Sequence, residues 1–391
     1  MDITQSFEFK LPTRILFGVN LVDSLGEEVK ALGMQRVLLV TDRGVVDAGL
    51  LERVTRVLDA SAIGCTVFDT VEANPTTTTV HKGAAIFREQ TCDGLVALGG
   101  GSPMDATKGI GVQATHPGDI MDYSRRVGKP VQNITPPLVA IPTTAGTGSE
   151  VTWVSVLVDP KDKVKIVVPS PYLAADAALV DPSLTVSLPP AVTAFTGMDA
   201  LTHAIEAYVS LKSQPVADSL AWRAIQLISA NLRQAVGNGD NLAARSNMLL
   251  ASTMAGMAFV NASVGLVHAA AHALGGFFNI AHGIANAVML PLVMRLSLIG
   301  NPGKYADIAV AMGANVDGLS EMEAAREAVF AVQGLAADIG IPQDLKPLGA
   351  DPARIGDLAD ETMNQSGAYP FNSRKVGKPE IMQLFEQAFE A

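Results

Sequence analysis

The most constraining feature of this sequence is an uncharged run from Ser246 to Met294, which contains no Asp, Glu, Lys or Arg. A run of this length could cross a bilayer if it were apolar throughout. Polar residues and glycines interrupt it every few positions, however, so we expect helices buried in a protein core. The run also lacks Cys and Tyr, which leaves His268, His272 and His282 as its titratable side chains. It therefore predicts a buried interior that needs nitrogen donors.

Composition limits what such a chain can be. Its 391 residues are 48% hydrophobic and 17% charged, which favours two domains with large cores. The net charge of −11, without any Lys/Arg-rich run, argues against a nucleic-acid partner. The only cysteines, Cys65 and Cys92, exclude a disulfide framework and fit a reducing compartment. The opening residues MDITQSFEFK lack the apolar stretch of a signal peptide, so we expect a cytoplasmic protein with no membrane partner.

The first part of the chain alternates short β-rich runs with helical patterns. Continuous apolar runs bounded by Gly, Pro or Asp predict strands buried on both faces: RVLLVT (36–41), CTVFD (65–69), GLVALG (94–99) and PLVAIP (137–142). Helical stretches at 45–60 and 76–90 lie between them, and a β pair follows at 151–158 and 164–169. Repeated βα units of this kind predict a parallel sheet.

The character of the sequence changes near Pro189 and Pro190. Consecutive prolines disfavour the continuation of regular structure, and from about residue 191 onward the patterns are helical without a convincing strand. We therefore predict two domains, an α/β domain at 1–187 and an all-helical domain at 188–391.

The stretch LVALGGGSPMDATKG (95–109) is typical of a strand, a glycine turn and a helix start. Ser102 fits an N-cap, Pro103 the first helical position, and Asp105 the third residue of a capping box. Glycines allow close backbone approach, and helix N-termini attract anions, so a pyrophosphate is a natural ligand. The alternative is a strand-to-helix turn without a ligand. The stretch is not the GxGxxG fingerprint of the dinucleotide fold.

Two further features resemble ligand-binding loops at the carboxyl ends of parallel strands. Asp42 ends the strand RVLLVT, where its carboxylate could bind a ribose 2′-hydroxyl and repel a 2′-phosphate; a helix or turn cap explains it equally well. The loop IPTTAGTGSEVT (141–152) places several small hydroxyls among glycines. Neither feature by itself identifies the nucleotide.

Histidines and one aspartate have the spacing of metal ligands. Asp199 and His203 are four residues apart, so a helix places both on one face, and His268 and His272 repeat this spacing. A carboxylate with imidazoles suits Fe(II), Zn(II) or Mn(II), whereas a zinc site of the cysteine type is excluded. A single buried histidine is more often a hydrogen-bonded core residue, and spacing alone does not bring the two segments together. The remaining histidines, His81 and His116, are interpreted as surface residues.

Taken together, four motifs resemble the iron-containing (group III) alcohol dehydrogenases, a family that includes lactaldehyde reductases and propanediol dehydrogenases. These motifs are GGGSPMDATK, IPTTAGTGSE, GMDALTHAIEAY and VHAAAHALGGFFNIAHG. The resemblance extends from about Phe7 to the C-terminus. It implies a dehydroquinate synthase-like fold, in which an α/β dinucleotide-binding domain with a parallel sheet precedes an all-α metal-binding domain.

The resemblance also implies roles for individual residues. The expected metal ligands are Asp199, His203, His268 and His282. His272 would be a catalytic histidine that is not a ligand and lies near the substrate and nicotinamide. The expected cofactor-binding residues are Asp42, Gly100, Gly101, Ser102, Thr143, Thr144, Thr147, Lys165 and Leu184. Trp153 and Phe259 are suggested as walls of the substrate pocket.

The implied activity is hydride transfer between NAD(H) and a small primary alcohol or diol and its aldehyde. The implied metal is Fe(II), with Zn(II) as an alternative, and the implied assembly is a homodimer or larger homo-oligomer. Competing interpretations are an NAD-using lyase of the dehydroquinate synthase type, a metal-dependent hydrolase, or a non-catalytic binding protein. Met104 stands where many relatives have His or Gln, and FNSR, ending at Arg374, stands where many have Asn-Pro-Arg. The second departure leaves the substrate open.

Overall fold

The structure is a computed structural model that describes residues 6–161 and 164–390. The expectation drawn from the opening residues MDITQ lies outside this part of the chain. The described chain forms two compact units. An α/β unit comprises Leu11–Thr144 and Gly148–Ser187. A helical unit begins at Leu188 and also includes Ala145–Thr147 and the described residues up to Lys10.

The α/β unit contains all the strands of the described chain. The strands are β1 (Arg14–Phe17), β2 (Arg36–Asp42), β3 (Gly64–Val71), β4 (Gly94–Gly99), β5 (Leu138–Pro142), β6 (Val154–Asp159), β7 (Val164–Pro169) and β8 (Ala177–Val180). Six of them form a parallel sheet in the order β1-β8-β5-β4-β2-β3, and β6 pairs antiparallel with β7. The helices of this unit are α1 (Leu25–Ala31), α2 (Arg43–Asp47), α3 (Leu50–Ala60), α4 (Thr77–Glu89) and α5 (Gly101–Thr115).

Burial on both faces explains the continuous apolar strands. Every residue of β4 and β5 is buried. Alternate side chains of each strand enter different cores, as the two-residue strand period requires. Leu95 and Ala97 pack in the core that includes α4 and α5, whereas Val96 and Leu98 pack in the core that includes α1 and α3. The prediction of a parallel sheet covered by helices is confirmed.

Three details of the sequence interpretation were wrong. The strands β1 and β8 were missed because each has only four residues and β8 is half alanine, which gives little β signal. The helical stretch at 45–60 is two helices, α2 and α3, separated at Gly49, whose φ is 74°. His116 is buried rather than on the surface, and its Nε2 accepts a hydrogen bond of 3.2 Å from the backbone N–H of Asn133.

The helical unit contains the remaining α-helices of the described chain. These are α6 (Pro190–Val209), α7 (Pro215–Gly237), α8 (Leu242–Ala262), α9 (Leu266–Phe278), α10 (His282–Ser297), α11 (Pro302–Ala311), α12 (Glu321–Asp338), α13 (Ile355–Asn364) and α14 (Lys378–Glu390). Nearly the whole uncharged run lies in α8, α9 and α10 and is mostly buried. The prediction that this run forms buried helices is confirmed.

By length and composition alone, His282–Gly300 could cross a membrane. The pair Leu242–Ala262 and Leu266–Phe278 passes the same test only when taken together, and it is bent by 101°. In the apolar window of His282–Gly300, 67% of the residues are buried within the protein, which is typical of a core helix.

Candidate functional site

In the α/β unit, a glycine turn connects β4 to α5. Gly99 has φ 150°, and a Cβ at this position would lie 2.6 Å from Cγ of Pro103, so only glycine fits. The helix begins at Gly101, and its N-cap Gly100 makes no side-chain capping bond. The predicted capping box of Ser102 and Asp105 was therefore wrong. The N-terminus of a 15-residue helix lies at this turn, and the N–H groups at the start of a helix can bind an anion.

The second polar loop lies against this turn. The backbone N–H of Thr143 donates a hydrogen bond of 3.0 Å to the carbonyl oxygen of Gly99. A Cβ on Gly100 would lie 3.1 Å from Oγ1 of Thr144. The structure therefore brings Gly100 and Thr144 together at the carboxyl ends of β4 and β5, where α/β sheets bind ligands.

A buried lysine that the sequence interpretation missed anchors the second loop. The ammonium group of Lys108 donates hydrogen bonds to the backbone carbonyl oxygen of Ser149 at 2.7 Å, to Oγ of the same residue at 2.9 Å and to Oγ1 of Thr152 at 3.0 Å. Burial lowers the pKa of Lys108 to about 8, and the charges of Asp105 and Glu150 oppose this shift. The signal available in the sequence was its place in GGGSPMDATK, one helical turn after Met104.

Asp105 reinforces the same connection. Its carboxylate accepts hydrogen bonds from Oγ of Ser149 at 2.9 Å and from the backbone N–H of Val156 at 3.1 Å. Burial raises the pKa of this carboxyl, and the positive charge of Lys108 opposes the shift. One turn of α5 thus holds the loop after β5 through the buried Lys108 and the partly buried Asp105.

The other residues expected at the cofactor have varied environments. Asp42 is the N-cap of α2, and its Oδ1 accepts a hydrogen bond of 3.0 Å from the backbone N–H of Val45; burial raises the pKa of this carboxyl. Lys165 is half-buried on β7, where its charge opposes the rise in the pKa of Asp105. Leu184 is fully buried in the core of the α/β unit, so its side chain packs inside the protein. Thr147 belongs to the helical unit.

In the helical unit, three helices bring one carboxylate and two imidazoles together. Asp199 lies on α6, His268 on α9, and His282 is the first residue of α10. One donor atom from each of these residues lies within 4.8 Å of the others. Asp199 and His268 are almost completely buried. This group therefore has the donors and the protection from solvent that a divalent transition metal requires.

His203, the fourth expected ligand, lies beside this group without completing it. Its ring centroid is 4.5 Å from that of His268, and its Nδ1 is 3.9 Å from Oδ2 of Asp199. The ring stacks on Phe259 with centroids 4.3 Å apart and an angle of 17°. Nδ1 of His203 is buried and has no hydrogen-bond partner within the described residues. A buried nitrogen without a partner is unfavourable, and a metal ion at this position would satisfy it. The residues present fit such an ion.

Asn286 was missed by the sequence interpretation and lies at the centre of the group. Its amide nitrogen is 2.6 Å from Oδ1 of Asp199, 3.3 Å from Nε2 of His268 and 3.2 Å from Nε2 of His282. Asn286 follows His282 by one turn of α10, the same four-residue spacing that pairs Asp199 with His203, so the sequence contained the signal.

Glu206 is the second missed residue and orients His268. Its Oε2 lies 2.6 Å from Nδ1 of His268, and its Oε1 accepts a hydrogen bond of 2.6 Å from the backbone N–H of Val267 at the start of α9. Burial raises the pKa of Glu206 to about 7, while backbone N–H groups and the charge of His203 oppose the shift. Nδ1 of His268 contacts the carboxylate of Glu206. The other ring nitrogen of His268, Nε2, is therefore the one that faces Asp199.

His272 lies next to the group without belonging to it. It is half-buried, and its ring is stacked on that of His282, with centroids 5.3 Å apart and an angle of 29°. Its ring lies edge-on to His268 at 6.3 Å. Trp153, the other suggested pocket residue besides Phe259, is partly buried just before β6 in the α/β unit.

The FNSR segment packs against the end of α10. The amide nitrogen of Asn372 donates a hydrogen bond of 3.0 Å to Oγ of Ser297, and Nη1 of Arg374 donates one of 2.8 Å to the carbonyl oxygen of Leu296. Asn372 is buried. Met104, the other departure from the family pattern, is also buried and packs in the core shared with α4 and α5.

A glycine turn on a parallel sheet, together with a buried carboxylate–imidazole group on helices, is the arrangement expected of a metal-dependent dehydrogenase. Family profiles agree: residues 12–182 match "Iron-containing alcohol dehydrogenase", and residues 193–389 match "Fe-containing alcohol dehydrogenase family, C-terminal". The chain belongs to the iron-containing alcohol dehydrogenase family and is an alcohol/aldehyde oxidoreductase.

Individual relatives cover almost the entire chain. A 1,3-propanediol dehydrogenase of Citrobacter freundii is 48% identical over 98% of this chain and 99% of its own length. A lactaldehyde reductase of Escherichia coli (strain K12) is 39% identical over 95% of this chain and 97% of its own length. Among solved structures, a 1,3-propanediol oxidoreductase superposes with a TM-score of 0.95 at 46% identity, covering 98% of this chain and 100% of its own. A sulfoacetaldehyde reductase from Bifidobacterium kashiwanohense in complex with NAD+ has a TM-score of 0.88 at 32% identity, covering 98% and 99%.

Proposed function

We propose that this protein is a metal-dependent oxidoreductase that transfers hydride between NAD(H) and a small primary alcohol or diol and the corresponding aldehyde. The observation that carries the proposal is the group of Asp199, His268 and His282, in which the two histidines belong to the otherwise uncharged run from Ser246 to Met294. Few neighbouring charges compete with a bound cation there, and the site offers one negative ligand with neutral imidazoles. The 48% identity to a 1,3-propanediol dehydrogenase supports the substrate class.

Asp199, His203, His268 and His282 would hold the metal, which we propose to be Fe(II), as the family description suggests, with Zn(II) as the alternative. When bound, such an ion supplies Lewis acidity, which lowers the pKa of an alcohol or polarises a carbonyl group. Glu206 holds the ring of His268 in the required orientation. Asn286 would orient the Asp199 carboxylate by donating to its Oδ1 at 2.6 Å, because the single lone pair of an imidazole nitrogen cannot bind a metal and accept a hydrogen bond together.

The residues of the α/β unit would bind the dinucleotide. Gly100, Gly101 and Ser102 would hold its pyrophosphate at the start of α5, and Thr143, Thr144 and Thr147 would line the cofactor site. Asp42 would favour NAD over NADP, because its carboxylate repels a 2′-phosphate. Lys165 and Leu184 are the other proposed cofactor residues, and Leu184 would contribute through its backbone, since its side chain is in the core. The sulfoacetaldehyde reductase with bound NAD+ supports the choice of cofactor.

His272 would move the alcohol proton, because an imidazole titrates near neutral pH and this one lies beside, rather than within, the ligand group. A ribose hydroxyl of the cofactor is the other candidate for this step. Phe259, held against His203, and Trp153 would shape the substrate pocket.

The test is a screen of purified, metal-loaded enzyme with short aldehydes and diols, with NADH and NADPH side by side. We expect oxidation of NADH with a short hydroxyaldehyde and weaker activity with NADPH. Absence of turnover with every short substrate, in protein that has retained its metal, would contradict the proposal. Tight NADH binding without net oxidation would instead indicate an NAD-using lyase, and hydrolysis without nucleotide binding a hydrolase.

For the assembly and location, we propose a homodimer or larger homo-oligomer in the cytoplasm. The absence of disulfide chemistry and the burial of the apolar helix α10 support a soluble intracellular enzyme. Light scattering coupled to size-exclusion chromatography tests the assembly, and a monomer at micromolar concentration would contradict it.

A further inference from the structure

The side chain of Gln365 connects His272 to a carboxylate. Gln365 directly follows the last residue of α13, and its amide nitrogen donates a hydrogen bond of 2.6 Å to Oε1 of Glu361, one turn earlier. Its amide oxygen, Oε1, lies 3.2 Å from Nδ1 of His272. The three side chains thus form a chain from carboxylate to amide to imidazole, all within the helical unit.

The chemistry of these groups determines where the hydrogen on His272 lies. An ionised carboxylate can only accept hydrogen bonds, so the NH2 end of the Gln365 amide must face Glu361. The oxygen end then faces the imidazole. Because an amide oxygen can only accept, Nδ1 of His272 must carry the hydrogen, and Nε2 of the neutral ring carries the lone pair.

The backbone holds Gln365 in place for this contact. Its N–H donates to the carbonyl oxygen of Thr362 at 3.3 Å, and its own carbonyl oxygen accepts from the N–H groups of Ala368 and Tyr369, each at 3.0 Å. Gln365 and Glu361 are both partly buried. Because the backbone of Gln365 is already fixed, its side chain loses less conformational entropy when it contacts both Glu361 and His272.

We propose that Gln365 is a positioning residue that fixes His272 as the Nδ1–H tautomer, so that Nε2 accepts the proton leaving the alcohol hydroxyl. In alcohol oxidation the hydride goes to the nicotinamide and the hydroxyl proton goes to Nε2. His272 then carries a hydrogen on each nitrogen, and the Nε2 proton subsequently leaves to solvent. This inference rests on the proposed function, because it deepens the role of His272 given there.

An amide at this position has a consequence that a carboxylate would not have. Gln365 orients the ring without placing a negative charge in contact with it, so it adds no carboxylate to Asp199 and Glu206, which already lie beside His282 and His268. Glu361 determines which end of the Gln365 amide faces His272, and it does so without touching His272 itself. Gln365 thus orients the ring of His272, while the negative charge is on Glu361.

The test compares Gln365→Leu, which removes the acceptor, with Gln365→Glu, which retains one. The matched control is Gln387→Leu on the exposed face of α14. Enzyme labelled with ¹⁵N-histidine and loaded with diamagnetic Zn(II) is examined by long-range ¹H–¹⁵N NMR of the imidazoles. The chain has six histidines, and the spectrum of His272→Ala identifies the signals of His272.

We expect the Nδ1–H form in the wild-type enzyme, in Gln365→Glu and in the control. In Gln365→Leu the Nε2–H form should become populated, and kcat should fall by about 10-fold, which is less than the 10²–10⁴-fold expected on loss of the acid–base group itself. The metal content and KM should stay within about twofold of wild type, because a positioning residue acts on the proton step and not on uniform binding.

Three results would overturn the proposal. One is the Nε2–H form of His272 in the wild-type enzyme; this measurement needs no variant to fold. Another is an unchanged tautomer in Gln365→Leu despite lower turnover. The third is loss of metal from Gln365→Leu, which would make Gln365 a structural residue. If His272→Ala turns over normally, the proton role in the proposed function fails instead, while the NMR spectra still decide how Gln365 orients the ring.

Discussion

The glycine turn of the α/β unit and the buried histidine group of the helical unit are built in opposite ways. At the turn, the groups that we propose to bind the cofactor are backbone N–H groups and small hydroxyls, and the side chains of Lys108 and Asp105 hold the second loop from behind. In the helical unit, the binding groups are side chains, and the backbone of α6, α9 and α10 only carries them. The first site depends on backbone conformation, and the second depends on which side chains meet.

This difference predicts different sensitivities. A backbone site tolerates many side-chain replacements but fails where an added Cβ closes the turn. A site made of side chains fails when a single ligand, or the residue that orients the ligand, is removed. The two regions should therefore be separable by substitution, with each variant impairing one binding event and sparing the other.

The largest effect is expected in the helical unit. His268→Ala should reduce metal affinity by more than about 100-fold, because loss of a ligand exceeds the 10–100-fold effect of losing an orienting partner. His272→Ala should retain the metal but lower kcat by about 10²–10⁴-fold, as expected for an acid–base group. The two variants are compared by elemental analysis of their metal content, by fluorescence titration with NADH and by steady-state rates. If both variants lose metal, or both keep it with equal rates, the division of roles is wrong.

The next effect concerns the glycine turn. Gly99→Ala should weaken NADH binding by about 10-fold or more and lower the free energy of unfolding by about 2 kcal/mol, because φ 150° and the contact with Pro103 both oppose a Cβ. Its metal content should be that of wild type.

The control for Gly99→Ala is Gly334→Ala on α12, where a Cβ meets nothing within 4 Å. That exposed helical substitution should stabilise the protein by about 0.5–1 kcal/mol. If Gly99→Ala binds NADH as tightly as the control does, the glycine turn is not part of the cofactor site.

The last prediction concerns a pH dependence of stability at Lys108, which should leave both binding events unchanged. Its pKa in the folded protein is about 8, below the ordinary 10.5, so between these values the unfolded chain binds a proton that the native state does not. Stability from this group therefore rises with pH across that window. Relative to Lys108→Met, the free energy of unfolding of wild type should gain about 1–3 kcal/mol between pH 8 and pH 10.

Urea unfolding at several pH values measures the gain at Lys108. The exposed Lys346→Met variant is the control and should follow wild type in parallel. If the free energy of unfolding of Lys108→Met also follows that of wild type in parallel, burial does not lower the pKa of Lys108. Folding would then not be linked to the release of a proton from this side chain.

Local pattern was sufficient for most of the fold. The four buried runs of the α/β unit became β2 to β5, because continuous apolar sequence between turn residues has few other stable environments. The uncharged run became α8, α9 and α10 for the same reason. Pattern failed at β1 and β8, whose four residues carry too little signal; β8 is a strand because β1 and β5 pair with it on either side.

The functional residues divide in a similar way. Spacing within one helix pointed to Asp199 with His203 and to His268 with His272, since four residues return a side chain to the same face. The same four-residue spacing separates His282 from Asn286 and was overlooked. Spacing gave no reason to single out Glu206, Lys108 or Gln365, because each acts through a partner far away in the chain. Gln365, for instance, lies 93 residues from His272.

The sequence by itself determined the helices and strands, the chemical types present in the uncharged interior and the family. Only the tertiary structure decided that Asp199, His268 and His282 share one point, that Asn286 lies among them, and that Gln365 faces the remaining histidine. The physical reason is that periodicity reports which face of an element is buried, whereas the meeting of two buried polar groups depends on how distant elements pack. A hydrogen bond has a range of about 3 Å, and no spacing along the chain encodes that distance between helices.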